Sequence, residues 1–182
     1  MVKLHLACGN NILPGYTNID KYVFDKDIYQ DDAIYLTSYI NDSVDEIRSS
    51  HFVEHLDFWE EQAAFKRWFE ILKPKGKLIF EVLDFERLCE KFLDANDDWE
   101  QFYNDEEGNY FGNGNNTNER WSVLSAHFYG NQSTKGNYHK NMWTKGKAYK
   151  LLYHVGFSSV SIETFNYDKF KELQCLRVEA IK

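Results

Sequence analysis

The sequence predicts a single α/β domain built on a mostly parallel sheet, and two observations carry this prediction. Short apolar stretches typical of strands alternate with segments whose apolar residues recur about every three to four positions, as in helices that cover a sheet. The chain has 182 residues, 43% of them apolar, which suits one hydrophobic core and not two. We therefore expect one domain over residues 1–182.

Four strands are expected in the first part of the chain, because short apolar runs are separated there by turn residues. The strand candidates are Lys3–Cys8, Tyr16–Asp20, Asp32–Leu36 and Val44–Ser50. The first is followed by Gly9-Asn10-Asn11, and the second is preceded by Pro14-Gly15. Both are turn compositions.

A helix should follow the fourth strand. Asp57 is a favourable N-cap with Glu60 three residues later. The apolar residues beyond it have helical spacing, at Phe65, Trp68, Phe69 and Leu72. The turn residues 73–76 end this helix, and Lys77–Leu83 is apolar enough for a central parallel strand. Asp84 then caps a second helix.

The last part of the chain predicts an insertion, a helix and two strands. Residues 94–143 lose all periodicity, and this stretch is too long for an ordinary connection, so we expect an insertion that acts as a lid. Thr144 caps the last helix, and Gly156 suits its left-handed C′ position. Alternating residues around 160–162 and 176–180 predict a C-terminal antiparallel strand pair.

Charge and cysteine content restrict the partners and the compartment. The formal net charge is −8, which argues against non-specific nucleic-acid binding, because such binding needs clustered Lys and Arg. Cys8, Cys89 and Cys175 are odd in number and far apart, which is typical of a reduced compartment and predicts a cytoplasmic protein. No apolar run approaches the about 20 residues of a membrane span, so no membrane association is expected.

The first group of candidate functional residues comprises a strand that ends in Gly9 and the residues Asn18-Ile19-Asp20 at the end of the next strand. It resembles the class I S-adenosylmethionine-dependent methyltransferases, whose fold is Rossmann-like. The resemblance implies that Ala7, Cys8 and Gly9 approach the amino-acid part of the cofactor and that Asp20 accepts both ribose hydroxyls. A carboxylate suits a vicinal diol because each oxygen can accept one donor. The alternative is a tight turn capped by Asp20.

The connection between these two strands is too short for a full helix, and no G-x-G-x-x-G is present. This disfavours NAD, whose pyrophosphate needs a helix N-terminus. The stretch LACGNNILPGYTNID is similar to a small subset of the methyltransferase family with an abbreviated first crossover, often linked with sugar or glycan modification. The resemblance implies methyl transfer to a hydroxyl or amine of a small-molecule or saccharide acceptor.

The segments NDSVDEIRSSHFVEHL and LKPKGKLIF carry the second group. They are similar to the family's fourth and fifth strand motifs, in which a strand leads to an E-H-L helix start and an L-K-P-G-G turn precedes the next strand. Lys75 replaces the first glycine of that turn. The resemblance implies that Ser50 and His51 line the cofactor cleft, with His51 also a catalytic candidate, and that Asp32 and Ala33 bind the adenine.

His51, Glu54 and His55 also match H-x-x-E-H, the zinc motif of inverzincin peptidases, which makes a zinc hydrolase an alternative. Such a motif lies within a helix, whereas Asp57 is expected to cap the helix only after His55. We therefore expect no metal site, and we expect Glu54 and His55 to bond to loop backbone. A further alternative is a non-catalytic binding module that keeps the fold and the cofactor.

The third group lies in SAHFYG and YHKNMWT, within and just after the insertion. It resembles the family pattern of a His before an aromatic residue and a capped helix, which implies that His139 is catalytic and that His127, Tyr129 and Trp143 bind the acceptor. Histidine can deprotonate a hydroxyl near neutral pH, and aromatic rings stack on sugars. A structural aromatic cluster is the alternative. Methyl transfer can also proceed by positioning alone.

Overall fold

The computed structural model describes residues 1–94, 127–130, 135–167 and 170–182. The strands in these ranges are β1 (Lys3–Leu6), β2 (Thr17–Asp20), β3 (Ile28–Gln30), β4 (Val44–Ser50), β5 (Leu72–Leu83), β6 (Ser159–Tyr167) and β7 (Phe170–Ile181). The α-helices are α1 (Phe58–Ile71), α2 (Phe85–Asp94) and α3 (Lys145–Val155). Short 3-10 helices span Val53–His55 and Lys135–Asn137.

The described strands form one sheet in the order β3-β2-β1-β4-β5-β7-β6. Neighbours among β1 to β5 pair in parallel, and β7 pairs antiparallel with both β5 and β6. The predicted α/β fold with a C-terminal antiparallel pair is confirmed. Because β7 lies between β5 and β6, the last strand of the chain is not at the edge of the sheet.

Helix α1 covers one face of the sheet because its apolar residues form one stripe. The buried residues of this stripe are Ala64, Phe65, Trp68 and Ile71. The ring of Phe65 packs edge-on against Phe80 of β5, with centroids 5.5 Å apart. The predicted capping box starts the helix: the Asp57 side chain accepts from two backbone amides, and the Glu60 side chain accepts from the Asp57 amide. The helix therefore runs from the carboxyl end of β4 back along the sheet.

Removing this cap should destabilise the protein. Asp57→Ala leaves two amides of the first turn without their acceptor, and we expect it to lower the free energy of unfolding by about 0.5–2 kcal/mol. Urea denaturation measures the change. Asp57→Ser, which keeps an N-cap oxygen, is the matched control and should lose less. Equal stability of Asp57→Ala and the wild type would show that the cap contributes nothing.

The third strand is displaced from its predicted place. β3 lies at Ile28–Gln30, where it pairs with β2, and the prediction of a strand at Asp32–Leu36 is wrong. The Asp32 side chain accepts from the Ile34 amide, and its carbonyl accepts from the Leu36 amide, so these residues form a turn. Ile34 and Leu36 are apolar because the turn packs into the core beside α1.

The other predicted boundaries differ less. β4 has its predicted bounds, while β5 begins at Leu72, before the predicted Lys77. The Thr144 hydroxyl caps α3, and Gly156 ends it with a φ of 120°. No helix lies in residues 7–16 between β1 and β2.

The insertion predicted at 94–143 lies mostly outside the described residues, which include only 94, 127–130 and 135–143 of it. None of the helices in the described ranges is long and apolar enough to cross a lipid bilayer.

Candidate functional site

The carboxyl ends of β1, β2 and β4 lie side by side at one edge of the sheet. Leu6 of β1 pairs with Ile19 of β2 on one side and with Ser49 of β4 on the other. Residues that follow these three strands therefore meet at this edge. Open α/β sheets bind their ligands outside the carboxyl ends of the strands, so this edge is the candidate site.

The backbone at this edge is left-handed at three of the residues named from the sequence. Ala7, Gly9 and His51 have φ values of 49°, 53° and 51°. Ala7 and His51 carry a Cβ, which makes this conformation unfavourable by about 1–2 kcal/mol each. Backbone bonds maintain it: the His51 amide, for example, donates to the Glu81 carbonyl over 2.9 Å. Strain of this kind clusters at ligand sites.

The Asp20 carboxylate joins the ends of β1 and β2. Its Oδ2 accepts from the Gly9 amide over 2.9 Å, and its Oδ1 accepts from the amides of Tyr22 and Val23 over 2.7 and 2.9 Å. Asp20 thus caps a turn, which was the alternative to a ligand site, and also fixes Gly9. A carboxylate has about four lone-pair positions, so one remains at Oδ2. The two ribose bonds expected from the sequence would need two acceptor positions, and these protein bonds leave one, on Oδ2.

Gly9 is open to a ligand, whereas its neighbour Cys8 is not. No atom lies within 4 Å of the position that a Gly9 Cβ would take, so the backbone there is open to a ligand. Cys8 is buried, and its thiol donates to the Gly9 carbonyl. Burial, with the Asp20 charge, raises the pKa of the Cys8 thiol to about 11, so the group stays neutral.

In the segment after β3, Asp31 has an oxygen available to a ligand, whereas Asp32, the residue predicted to bind adenine, does not. Both Asp32 oxygens are engaged, one by the Ile34 amide and the other by Lys21 Nζ at 2.8 Å. Ala33 is buried, and its carbonyl accepts from Trp68 Nε1. Asp31 Oδ2 is buried and has no hydrogen-bond partner among the described residues. The pair of adjacent acids was the only sequence signal for Asp31.

Ser50 belongs to a charged face of the sheet. Its hydroxyl donates to Glu81 Oε2 over 3.0 Å, and Glu81 Oε1 also accepts from Arg48 and Arg177. The neighbouring Ser49 hydroxyl is buried and has no partner among the described residues. The predicted cofactor contact of Ser50 would thus compete with its bond to Glu81.

His51 and Glu54 form a largely buried ion pair, in which His51 Nδ1 donates to Glu54 Oε1 over 3.1 Å. Burial by itself lowers the pKa of His51, but hydrogen bonds with Cys175 and Glu54 outweigh it and raise the pKa to about 11. Burial favours the neutral Glu54 carboxyl, but the bond from His51 outweighs it and lowers the pKa. His51 is therefore protonated near neutral pH, which does not fit a role as general base.

His139, the residue predicted to be catalytic, lies close to Glu54 of this pair. Its Nδ1 donates to the His127 carbonyl over 2.7 Å, and its ring is 4.8 Å from that of His55. The next residue, Lys140, donates its amide to the Glu54 carbonyl over 2.8 Å, which ties the two segments together. Burial lowers the pKa of His139 and keeps the ring neutral.

The predicted acceptor-binding residues have different surroundings. Trp143 is 1% exposed, and its ring lies 5.5 Å from Phe65 and 5.1 Å from Phe80. The prediction that Trp143 contacts an acceptor does not fit this burial, because its ring fills the core between α1 and the sheet. Tyr129 is exposed, and the His127 side chain is half-buried.

The zinc motif does not assemble as its sequence spacing suggested. Its residues lie in a loop and the 3-10 helix Val53–His55, while α1 begins only at Phe58. His51 is instead bonded to Glu54 through Nδ1. Within the described ranges, the residues whose ligand atoms all lie within 4.8 Å of one another are Glu54, His55 and His139.

Solved structures of methyltransferases resemble the whole chain. A SAM-dependent methyltransferase from Archaeoglobus fulgidus is 16% identical, with a TM-score of 0.59 over 99% of this chain and 85% of the other. A Methanosarcina mazei SAM-dependent methyltransferase is 13% identical, with a TM-score of 0.59 over 99% and 91%.

The 1,6-didemethyltoxoflavin-N1-methyltransferase of Burkholderia thailandensis was solved with 1,6-didemethyltoxoflavin and S-adenosylhomocysteine bound. It is 14% identical, with a TM-score of 0.64 over 100% of this chain and 70% of the other. This chain has the Rossmann-like methyltransferase fold. No family model and no curated protein matches the sequence. The chemistry must therefore be argued from the residues at the edge of the sheet.

Proposed function

We propose that this protein transfers a methyl group from S-adenosylmethionine to a hydroxyl or amine of a small-molecule or saccharide acceptor. The observation that carries the proposal is the bond from the Gly9 amide to Asp20 Oδ2, at the carboxyl edge of this fold. It unites in one place the two residues that the sequence resemblance assigns to the cofactor. A relative in fold, the Burkholderia enzyme, binds S-adenosylhomocysteine.

The polar groups at the edge fit this cofactor. The open backbone at Gly9 suits the amino-acid part, and the free position on Asp20 Oδ2 suits one ribose hydroxyl. Asp31 Oδ2, a buried acceptor without a partner among the described residues, suits the amino group of adenine.

When bound, S-adenosylmethionine supplies a methyl group that its positive sulfur has already activated. The protein then has to hold the acceptor in line with the bond that breaks. A hydroxyl acceptor must also lose a proton. We propose that His139 receives it, since a ring whose Nδ1 donates to a carbonyl has Nε2 available as an acceptor. Tyr129 and His127, both in the described segment 127–130, are proposed to contact the acceptor.

A transfer assay tests the proposal. The protein is incubated with methyl-labelled S-adenosylmethionine and sets of saccharides, phenols and amines, and label in the acceptor is measured. We expect label in at least one set and one equivalent of S-adenosylhomocysteine for each methyl transferred. Cofactor binding with no transfer to any set would favour the binding module, and failure of both would remove the proposal.

Asp20→Asn should weaken binding of the cofactor. The amide keeps one oxygen for the Tyr22 and Val23 amides, but its NH2 group cannot accept from Gly9 or from a ribose hydroxyl. A charge-assisted bond contributes about 1.5–3 kcal/mol, so affinity for S-adenosylhomocysteine should fall about tenfold to 150-fold.

Asp25→Asn is the matched control for this variant, because Asp25 caps an exposed turn in the same connection through a bond to the Asp27 amide. It should keep the wild-type dissociation constant. An unchanged dissociation constant in Asp20→Asn would place the ribose elsewhere.

A further inference from the structure

Three side chains outside the cofactor residues converge beside the carboxyl end of β4. They are Glu54 and His55 from the 3-10 helix and His139 from the segment before α3. One potential ligand atom from each lies within 4.8 Å of the other two. The sequence places Glu54 beside His55 but gives no indication of His139, which lies far along the chain within the predicted insertion.

Both imidazoles, those of His55 and His139, are oriented by a hydrogen bond between Nδ1 and a backbone carbonyl. His55 Nδ1 lies 3.0 Å from the Tyr138 carbonyl, and His139 Nδ1 lies 2.7 Å from the His127 carbonyl. A carbonyl only accepts, so both Nδ1 atoms carry the proton, and both Nε2 atoms present a lone pair. A bond from the other ring nitrogen to a carbonyl is the usual support of a metal-binding histidine.

Glu54 supplies the negative charge and an unused oxygen. The residue is 4% exposed, and its Oε1 is bonded to His51. Its Oε2 is buried and has no hydrogen-bond partner among the described residues. A buried carboxylate oxygen without a partner is costly, which calls for a ligand that satisfies it.

Backbone hydrogen bonds hold the two segments together. The amides of Lys140 and Asn141 donate to the Glu54 carbonyl over 2.8 and 3.1 Å, and the His139 amide donates to the Tyr129 carbonyl over 3.1 Å. The three side chains are therefore presented by fixed backbone. Bonds of about 2.0–2.1 Å to a tetrahedral ion require ligand atoms about 3.3 Å apart, so these atoms must move closer together when the ion binds.

We propose that Glu54, His55 and His139 bind one divalent first-row transition-metal cation, such as Zn²⁺ or Mn²⁺, and that this cation holds the acceptor oxygen. Two imidazoles and one carboxylate favour such ions over Mg²⁺ and Ca²⁺, which prefer all-oxygen sites. Three protein ligands leave coordination positions open, as catalytic metal sites require.

The role of the cation rests on the proposed function. An acceptor hydroxyl bound to the cation loses its proton to water more readily, because the cation stabilises the alkoxide. The alkoxide oxygen then forms a bond to the methyl carbon while the carbon–sulfur bond breaks, and the sulfur keeps the electron pair as S-adenosylhomocysteine. With the cation bound, His139 Nε2 is a metal ligand and not the general base, and water takes the proton of the acceptor hydroxyl.

The test is a Co²⁺ titration of the full chain after treatment with a chelator, followed by visible absorption and calorimetry. We expect one equivalent of Co²⁺ to bind, with d–d absorption bands that Zn²⁺ abolishes by competition. Glu54→Gln and His55→Ala should each weaken binding at least tenfold. His154→Ala, which removes an exposed histidine of α3, is the matched control and should bind as the wild type does.

Equal Co²⁺ affinity in the wild type, Glu54→Gln and His55→Ala would overturn the proposal, as would the lack of any binding. Melting curves of both variants verify that each is folded, and His55, a half-buried residue, is the safer substitution. The readout does not need activity. Co²⁺ binding without methyl transfer would refute only the proposed function, and chelator-insensitive transfer without Co²⁺ binding would refute only the metal site.

Discussion

His139→Gln is expected to lower kcat for methyl transfer to a hydroxyl acceptor by about a hundredfold to ten-thousandfold, the range for loss of a positioned general base. The affinity for S-adenosylhomocysteine should stay within about twofold of the wild type, because the residues proposed to bind the cofactor, Gly9, Asp20 and Asp31, belong to other segments of the edge. The measurement is steady-state kinetics together with a calorimetric dissociation constant.

His154→Gln is the matched control and should keep both constants. A wild-type kcat in His139→Gln would contradict the proposed role and leave acceleration to positioning alone. The general base and the metal ligand are distinguished by a chelator: if His139 is the base, activity survives chelator treatment, and if it binds a cation, activity is lost and returns on addition of Zn²⁺ or Mn²⁺.

Trp143→Ala is expected to lower the free energy of unfolding by about 3–5 kcal/mol, the usual cost of truncating a buried Trp or Phe. The indole is 1% exposed, packs against Phe65 and Phe80, and has Lys147 Nζ 4.4 Å above its ring. The sequence suggested an acceptor platform at this position. Because Trp143 is buried, Trp143→Ala should lose stability and should not raise the Michaelis constant for the acceptor. Urea denaturation measures the loss of stability.

Trp143→Phe is the conservative comparison. It keeps an aromatic ring in the core and removes Nε1, which has no hydrogen-bond partner among the described residues, so it should lose much less stability than Trp143→Ala. If Trp143→Ala kept wild-type stability while the Michaelis constant for the acceptor rose, the ring would have to contact the acceptor after all.

The fold was predictable because its signals are local. The capping box at Asp57, the cap at Thr144 and the apolar run of β5 each act within a few residues, and the structure has all three. β3 was misplaced because the apolar pattern at Asp32–Leu36 reflects packing of a turn, which resembles strand alternation over so short a length. The place of β7 between β5 and β6 follows from long-range pairing, which no local pattern encodes.

Only part of the candidate site was predictable from the sequence. Gly9 and Asp20 were grouped by the resemblance to the methyltransferases, and they meet because each follows a parallel strand whose carboxyl end lies at the same edge of the sheet. The proximity of Glu54 and His139 depends on long-range bonds such as that from the Lys140 amide, within the predicted insertion, to the Glu54 carbonyl. Asp31 was missed because its distinction from Asp32 is one of burial and bonding, not of residue type.

Calorimetric titration of the wild-type protein with S-adenosylhomocysteine tests the central claim most directly, because it needs no knowledge of the acceptor. The account predicts one binding site per chain, and it predicts the same stoichiometry with S-adenosylmethionine. If neither compound bound at millimolar concentration to protein shown to be folded, the edge formed by β1, β2 and β4 would not be a cofactor site, and the proposed methyl transfer would be contradicted.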